Sequence, residues 1–244
     1  MDEFQKQKNR CLSSTDNSIK GSIDAKILSL VQLINENKDY FTTSSCSGRI
    51  MIFRKVNQLK SKNCESLFVT HDSITEDDVN FLLNGQIEDS VIFKFEPFVL
   101  HVQCRTMNHA RLLLKAALTS GFRNSGIVLG KKERLIVAVR STQTLEVPLT
   151  NQGAMLISQD YLYFLLQVAN EKMDDNDLRI RKFEVSFHST TLSEETKCKK
   201  SKSSTRRSQK DSLQSVSTAQ ASTKNCSYED GLLNFSDLFK ESDF

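Results

Sequence analysis

The chain has 244 residues, of which 38% are hydrophobic and 26% charged, and its formal net charge is +3. That length and balance suit one good-sized core plus a tail, and so small a charge leaves room for a local basic patch rather than a generally basic nucleic-acid binder. No apolar run approaches the ~18 residues of a membrane span and no N-terminal apolar segment suggests secretion, so no membrane partner is expected. The six cysteines, at positions 11, 46, 64, 104, 198 and 226, form no close metal-ligating spacing. Zinc is therefore not expected, and free thiols in a reducing, cytoplasmic setting are.

In chain order, Ser22 is placed to cap a helix whose apolar residues Ile23, Ile27, Leu30, Val31 and Ile34 recur at helical spacing. The next segment, 41–50, reads FTTSSCSGRI and is expected to be a loop. Its hydroxyls donate and accept in many directions, Gly48 admits close approach to the backbone, and Arg49 offers a fork for carboxylate, phosphate or a base edge. As a ligand floor it would use Ser44, Ser45, Cys46, Gly48 and Arg49; a Ser/Thr turn around a packed thiol is the plainer reading. A strand at 50–53 follows, then a strand at 67–70 and a short helix capped by Thr75 and ending near Asn84-Gly85.

Segment 95–105, FEPFVLHVQCR, alternates after its proline. Phe98, Leu100, Val102 and Cys104 point to a core, while Val99, His101, Gln103 and Arg105 point the other way, about 7 Å apart per step. His101 is either a base or hydrogen-bond donor in a site, or a satisfied strand residue. Cys46 becomes a nucleophile only if His101 comes near it, and is otherwise a packed thiol. A helix from Asn108 to Ser120 closes at Gly121, and Arg123, Asn124, Ser125 and Gly126 form a further polar junction before a hairpin of strands 127–129 and 135–139. The order of helix, polar glycine loop, strand and hairpin thus occurs twice. The expected fold class is α+β, a mixed or antiparallel sheet with flanking helices and a duplicated helix–loop–hairpin unit.

Ser158 is placed to cap a last helix with an apolar stripe from Tyr161 to Met173. The expected domain spans 1–188 and the tail 189–244, with 189–227 disordered. Within that tail, 197–210 carries seven Lys/Arg and no acid, which suits a solvated tail, a phosphate contact or a nuclear signal. From Tyr228 to Phe244, leucines and phenylalanines alternate with acids in a pattern that fits a partner groove.

The strings at 41–50, 95–105 and 121–127 (GFRNSGI), with AVRST at 138–142 and LEVPL at 145–149, resemble the tRNA wybutosine-synthesizing methyltransferase family over roughly residues 1–185. The resemblance implies an enzyme that uses S-adenosylmethionine to N-methylate aminocarboxypropyl-demethylwyosine, the tricyclic base beside the anticodon of phenylalanine tRNA. It supports a site role for His101. In that chemistry Glu96 is a candidate neighbour for a sulfonium cation, and Arg49 and Arg123 for phosphates or carboxylates. The glycine-rich cradle of the common Rossmann-like methyltransferases is absent from the sequence, so the pocket must be of another design. A non-catalytic RNA-binding or adaptor module is the rival reading.

Overall fold

The computed structural model describes residues 2–13, 22–55, 64–84, 89–130 and 134–205. The chain divides into compact units Met1–Lys200 and Ser201–Phe244, the second described only for 201–205. The α-helices are α1 (Glu3–Ser13), α2 (Leu28–Glu36), α3 (Asn80–Asn84), α4 (Met107–Thr119) and α5 (Gln159–Thr205). The strands are β1 (Tyr40–Lys55), β2 (Cys64–Thr70), β3 (Ser90–Cys104), β4 (Gly126–Leu129), β5 (Leu135–Arg140), β6 (Leu145–Pro148), β7 (Thr150–Asn151) and β8 (Ala154–Met155). The main sheet runs β2-β1-β3-β5-β4, β6 also pairs with β3, and every pairing is antiparallel. No described helix is long and apolar enough to cross a membrane.

One face of this sheet is buried beneath α2, α4 and α5. At one end Phe98, Leu100, Val102 and Cys104 pack with Leu30, Ile34, Leu113, Phe122, Phe183 and Phe187. At the other, Val91, Phe93 and Phe95 pack with Ile50, Ile52, Leu162, Leu166 and Met173. The expected inward set of β3 is therefore correct, but inward positions are odd-numbered up to Phe95 and even-numbered from Phe98. A strand alternates strictly, so its faces must exchange between these residues, at Glu96-Pro97. On β1 the exchange falls opposite, where Gly48 pairs with Pro97 and adopts φ +103°. Proline brings no N–H to the ladder, and α5 repairs the gap. The Asn176 carboxamide, 1% exposed, accepts from Phe98 N at 2.7 Å and donates to Ser47 O at 2.8 Å.

Several local expectations change. Residues 41–50 are not a loop but the first half of a 16-residue strand. Its long partner β3 offers a ladder throughout, and a register shift at Thr42/Ser44 together with the left-handed Gly48 absorbs the irregularity. Ser22 caps no helix; α2 begins at Leu28 after a 3₁₀ turn at Ala25–Ile27, and Asp24 sends its carboxylate across to Ser47 N at 2.8 Å. Thr75 does not cap the short α3 segment: the 3₁₀ turn Asp77–Val79 before it has Glu76 at its N-cap with no side-chain cap, Thr75 instead donates from N and Oγ1 to the Asp78 carboxylate at 2.8 Å each, and Gly85 lies outside the described residues. Helix α4 is capped by Thr106 and closed by Gly121 at φ +97°, and Ser158 Oγ accepts from Tyr161 N at the start of α5.

The helix–strand–strand order recurs, yet its two occurrences sit differently: β1 is inner and β2 the edge, whereas β4 is the edge and β5 inner. Residues 189–205, expected to be disordered, continue α5 as helix. Glu, Lys and Thr without Gly or Pro give that stretch no breaker, a fact that its lack of apolar periodicity concealed. The end of the basic run, from 206 to 210, and the acidic-hydrophobic motif lie outside the described residues.

Candidate active site

The opposite face of the sheet carries the polar residues. Helix α1 covers one end of it: Phe4 stacks edge-on against Phe41 with ring centroids 5.2 Å apart, and Gln103 Nε2 donates to Gln7 Oε1 at 2.7 Å. Arg105 pairs with Asp2 and, through Nε at 2.8 Å, with Asp39, and its guanidinium lies over the Phe4 ring. Gln103 and Arg105 do share the His101 face, as the alternation implies, but they fasten α1 rather than line an open pocket.

Three strands converge on His101. Register sets Ser44 of β1 beside it and brings Arg140 in from the end of β5. Its Nδ1 lies 2.9 Å from Ser44 Oγ and its Nε2 lies 3.1 Å from Arg140 Nη2. A guanidinium only donates, so Nε2 accepts and the ring is the neutral form with its proton on Nδ1, directed at Ser44. Burial, and secondly the Arg140 charge, hold the imidazole below its ordinary pKa. A group whose folded pKa is depressed contributes stability that is complete above the unfolded value near 6.5 and is lost as pH falls through the lower folded value. Acid protonation also sets two cations against each other. We therefore expect a pH–rate profile that stays flat down to pH ~6.5 and loses activity below it. Arg140→Gln should move the acid limb up toward 6.5, and an unmoved limb would contradict this arrangement.

Beside His101 lies a cleft of about 340 Å³ lined by Cys46, Arg49, Glu96, Val99, Arg140 and Thr144, among others. Arg49 and Glu96 face each other across the ladder and join through Nε and Nη2 at 2.8 and 2.7 Å. Lys94 Nζ meets the other Glu96 oxygen at 3.0 Å and reaches Glu146 at 3.5 Å. Burial pushes the Glu96 carboxyl up, but hydrogen bonds from Lys94 and Arg49 outweigh it and leave the group below the usual carboxylate range. Glu96 is thus ionised but already committed, and it serves to fix Arg49.

Cys46 borders the cleft with its thiol pKa raised by burial. The imidazole within its reach is His71, not His101: ligand atoms of Asp24, Cys46 and His71 all lie within 4.8 Å of one another. His71 Nδ1 is 2.8 Å from Gly48 O, and Asp24 Oδ2 accepts from Ser47 N. A protonated thiol beside an imidazole already hydrogen-bonded to backbone is a wall of the site rather than a nucleophile.

Of the expected residues, Cys46, Arg49 and Glu96 line the cleft, and Ser44 and His101 join it through the His101 contact with Arg140, with Gly48 behind. Ser45 pairs with Leu100 and so belongs to the helix-covered face. Arg123 and Asn124 stand exposed on a separate turn, Gly126 begins β4, and Ser125 reaches this region only by accepting from Arg140 N at 3.1 Å. Sequence reasoning missed Arg140, Ser141 and Thr144, although Arg140 follows by alternation from the buried Val137 and Val139. Nothing local marked Asn176, Asp24 or His71, which enter through the sheet's crossing of faces.

The sequence matches the family described as Methyltransferase TYW3 over residues 5–189. It is 48% identical over 200 residues to a tRNA wybutosine-synthesizing protein 3 homolog of Danio rerio, covering 81% of this chain and 79% of that one. The human protein of the same description is 48% identical over 184 residues, covering 74% and 71%. Among solved structures, the PH1069 protein of Pyrococcus horikoshii is similar with a TM-score of 0.68 and 29% identity, over 75% of this chain and 95% of that one. A hypothetical protein from Aeropyrum pernix gives a TM-score of 0.59 at 25% identity, over 68% and 98%. With the family pattern spanning both the sheet and the cleft, the chain belongs to the TYW3 methyltransferase family.

Proposed function

We propose that this chain, a tRNA methyltransferase of wybutosine biosynthesis by family, takes its methyl group from S-adenosylmethionine. The acceptor is a ring nitrogen of aminocarboxypropyl-demethylwyosine beside the anticodon of phenylalanine tRNA, and the setting is the cytoplasm. The observation that carries this reading is the cleft walled by Arg49 of β1 and Arg140 of β5, with a neutral His101 of β3 held against Arg140 at 3.1 Å.

The cleft fits the cofactor. Its volume of about 340 Å³ is that of a small-molecule site, Pro97 and Val99 offer apolar surface, Ser141 and Thr144 offer hydroxyls, and Arg140 has no carboxylate partner among the described residues. Arg140 would hold the amino-acid carboxylate and the hydroxyls the ribose. The expected sulfonium neighbour, Glu96, is already matched by Arg49 and Lys94, so its part is to keep Arg49 turned toward the substrate. The bound cofactor supplies an electrophilic methyl, and displacement at such a carbon needs alignment more than acid–base power, alignment being worth about 7–11 kcal/mol. The ring nitrogen gives up its proton as it gains the methyl; His101 Nε2, a lone pair held only by the Arg140 contact, is the acceptor we assign.

Calorimetry with S-adenosylmethionine on the full chain, beside single-turnover methyl transfer to demethylated precursor tRNA, tests this. One cofactor per chain and methylated tRNA are expected. RNA binding without cofactor binding would instead favour the adaptor reading, whose partner-binding tail lies beyond the described residues.

A further inference from the structure

The connection between β5 and β6, residues 141–144, is a wall shared by two clefts. Ser141 and Thr144 line the candidate active site, while Thr142 and Gln143 line a second cleft of about 460 Å³ on the other side. Its remaining walls are Thr119, Ser120 and Gly121 at the end of α4, Arg123 on the following turn, and Asp175, Arg179 and Lys182 of α5. Three cations face one carboxylate. Arg179 is committed, to Asp175 at 2.9 Å and to Gly121 O at 3.0 Å. Arg123 and Lys182 are exposed and have no ion-pair partner among the described residues. The lining has hydroxyls, amides and backbone but no aromatic or aliphatic floor, so it suits neither an adenine nor an unstacked base. Gln143 lines this cleft, with its Oε1 buried and without a hydrogen-bond partner among the described residues.

We infer that this second cleft seats a backbone phosphate of the RNA strand next to the methylated base, between Arg123 and Lys182. The inference rests on the methyltransferase reading for which base enters the first cleft, and goes beyond it in assigning where the strand leaves. Arg140 and Gln143 are three residues apart, on the order of 10 Å of chain at most, so a nucleotide neighbouring the bound base reaches the second cleft across this saddle. A phosphate between two uncommitted cations gains charge-assisted hydrogen bonds. Ser125 ties the two clefts together, since it follows Arg123 in the turn and accepts from the Arg140 amide.

The test compares wild type with Arg123→Gln, Lys182→Gln and the double variant. RNA affinity is measured over a salt series, S-adenosylmethionine affinity by calorimetry, and folding by thermal unfolding. Both side chains are exposed, so the variants should fold normally. For the double variant we expect about tenfold weaker RNA binding and a salt slope shallower by about 0.7, with cofactor affinity unchanged. Unaltered RNA affinity and slope would overturn the assignment. Lost cofactor affinity with intact RNA binding would overturn it too, by showing that the cleft holds the cofactor's carboxylate. A wild type that binds RNA with this dependence on Arg123 and Lys182 but takes no cofactor would leave the phosphate cleft standing and remove the methyltransferase reading.

Discussion

Gly48→Ala should destabilise the fold by about 3 kcal/mol or more while also lowering activity in the fraction that remains folded. The backbone there sits at φ +103°, a region costing a side-chain-bearing residue about 1–3 kcal/mol. A methyl group would also lie 3.0 Å from Asn176 Nδ2, 3.2 Å from Glu96 O and 3.3 Å from Phe98 N, and two of those atoms are backbone that cannot turn aside. Displacing Asn176 removes the partners of Ser47 O and Phe98 N, each about 1–3 kcal/mol when buried and unpaired. Asn176→Leu should therefore cost a comparable amount. The two residues serve one junction, so their double variant should lose clearly less than the sum of the single losses. Urea unfolding of the four proteins measures this; additive losses would show that glycine and asparagine do not act on one junction. Cys46 and Arg49 flank the same kink, so turnover per folded molecule should also fall.

The junction shows what could and could not be read from the sequence. The inward set of β3 after Pro97, the Gly121 cap and the β4–β5 hairpin are local patterns, each set by a short run of residues, and they were legible. The exchange of faces at Gly48 and Pro97 was not, because it needs an asparagine 78 residues beyond Phe98 and 129 beyond Ser47 to close the ladder. The hydroxyl-rich stretch before Gly48 looked like a loop for the same reason: only a 15-residue partner strand makes it a strand. Of the candidate residues, Ser44, Arg49, Glu96 and His101 were singled out by chemistry and spacing, and the structure pairs Ser44 with His101 and Arg49 with Glu96. Gln103 and Arg105 had the right face but the wrong company, since nothing in their alternation reveals that α1 lies across that end. Cys46 was to be a nucleophile only if His101 came near it, and the imidazole brought within its reach is instead His71, which follows β2.

The two faces of β3 should fail in different ways. Leu100 and Val102 are 0% exposed within the helix-covered core, so truncating either to alanine leaves a cavity the neighbouring rings cannot fill. A loss of about 2–5 kcal/mol is expected for Leu100→Ala, toward the lower end for Val102→Ala, with activity following the folded fraction. His101 lies between them on the other face, half-buried, with hydrogen bonds to Ser44 and Arg140. His101→Ala should move the unfolding midpoint little, because both partners can turn to water, while single-turnover methyl transfer falls by about 10²–10⁴-fold if the imidazole takes the ring-nitrogen proton. Arg49→Ala should also spare stability, since its ion pair with Glu96 is partly solvent-exposed, yet it should impair turnover by freeing the cleft wall. Thermal unfolding beside methyl transfer to demethylated precursor tRNA separates the outcomes. Equal destabilisation from both faces, with normal turnover in folded His101→Ala, would make His101 a structural strand residue and shift the proton-accepting role to solvent.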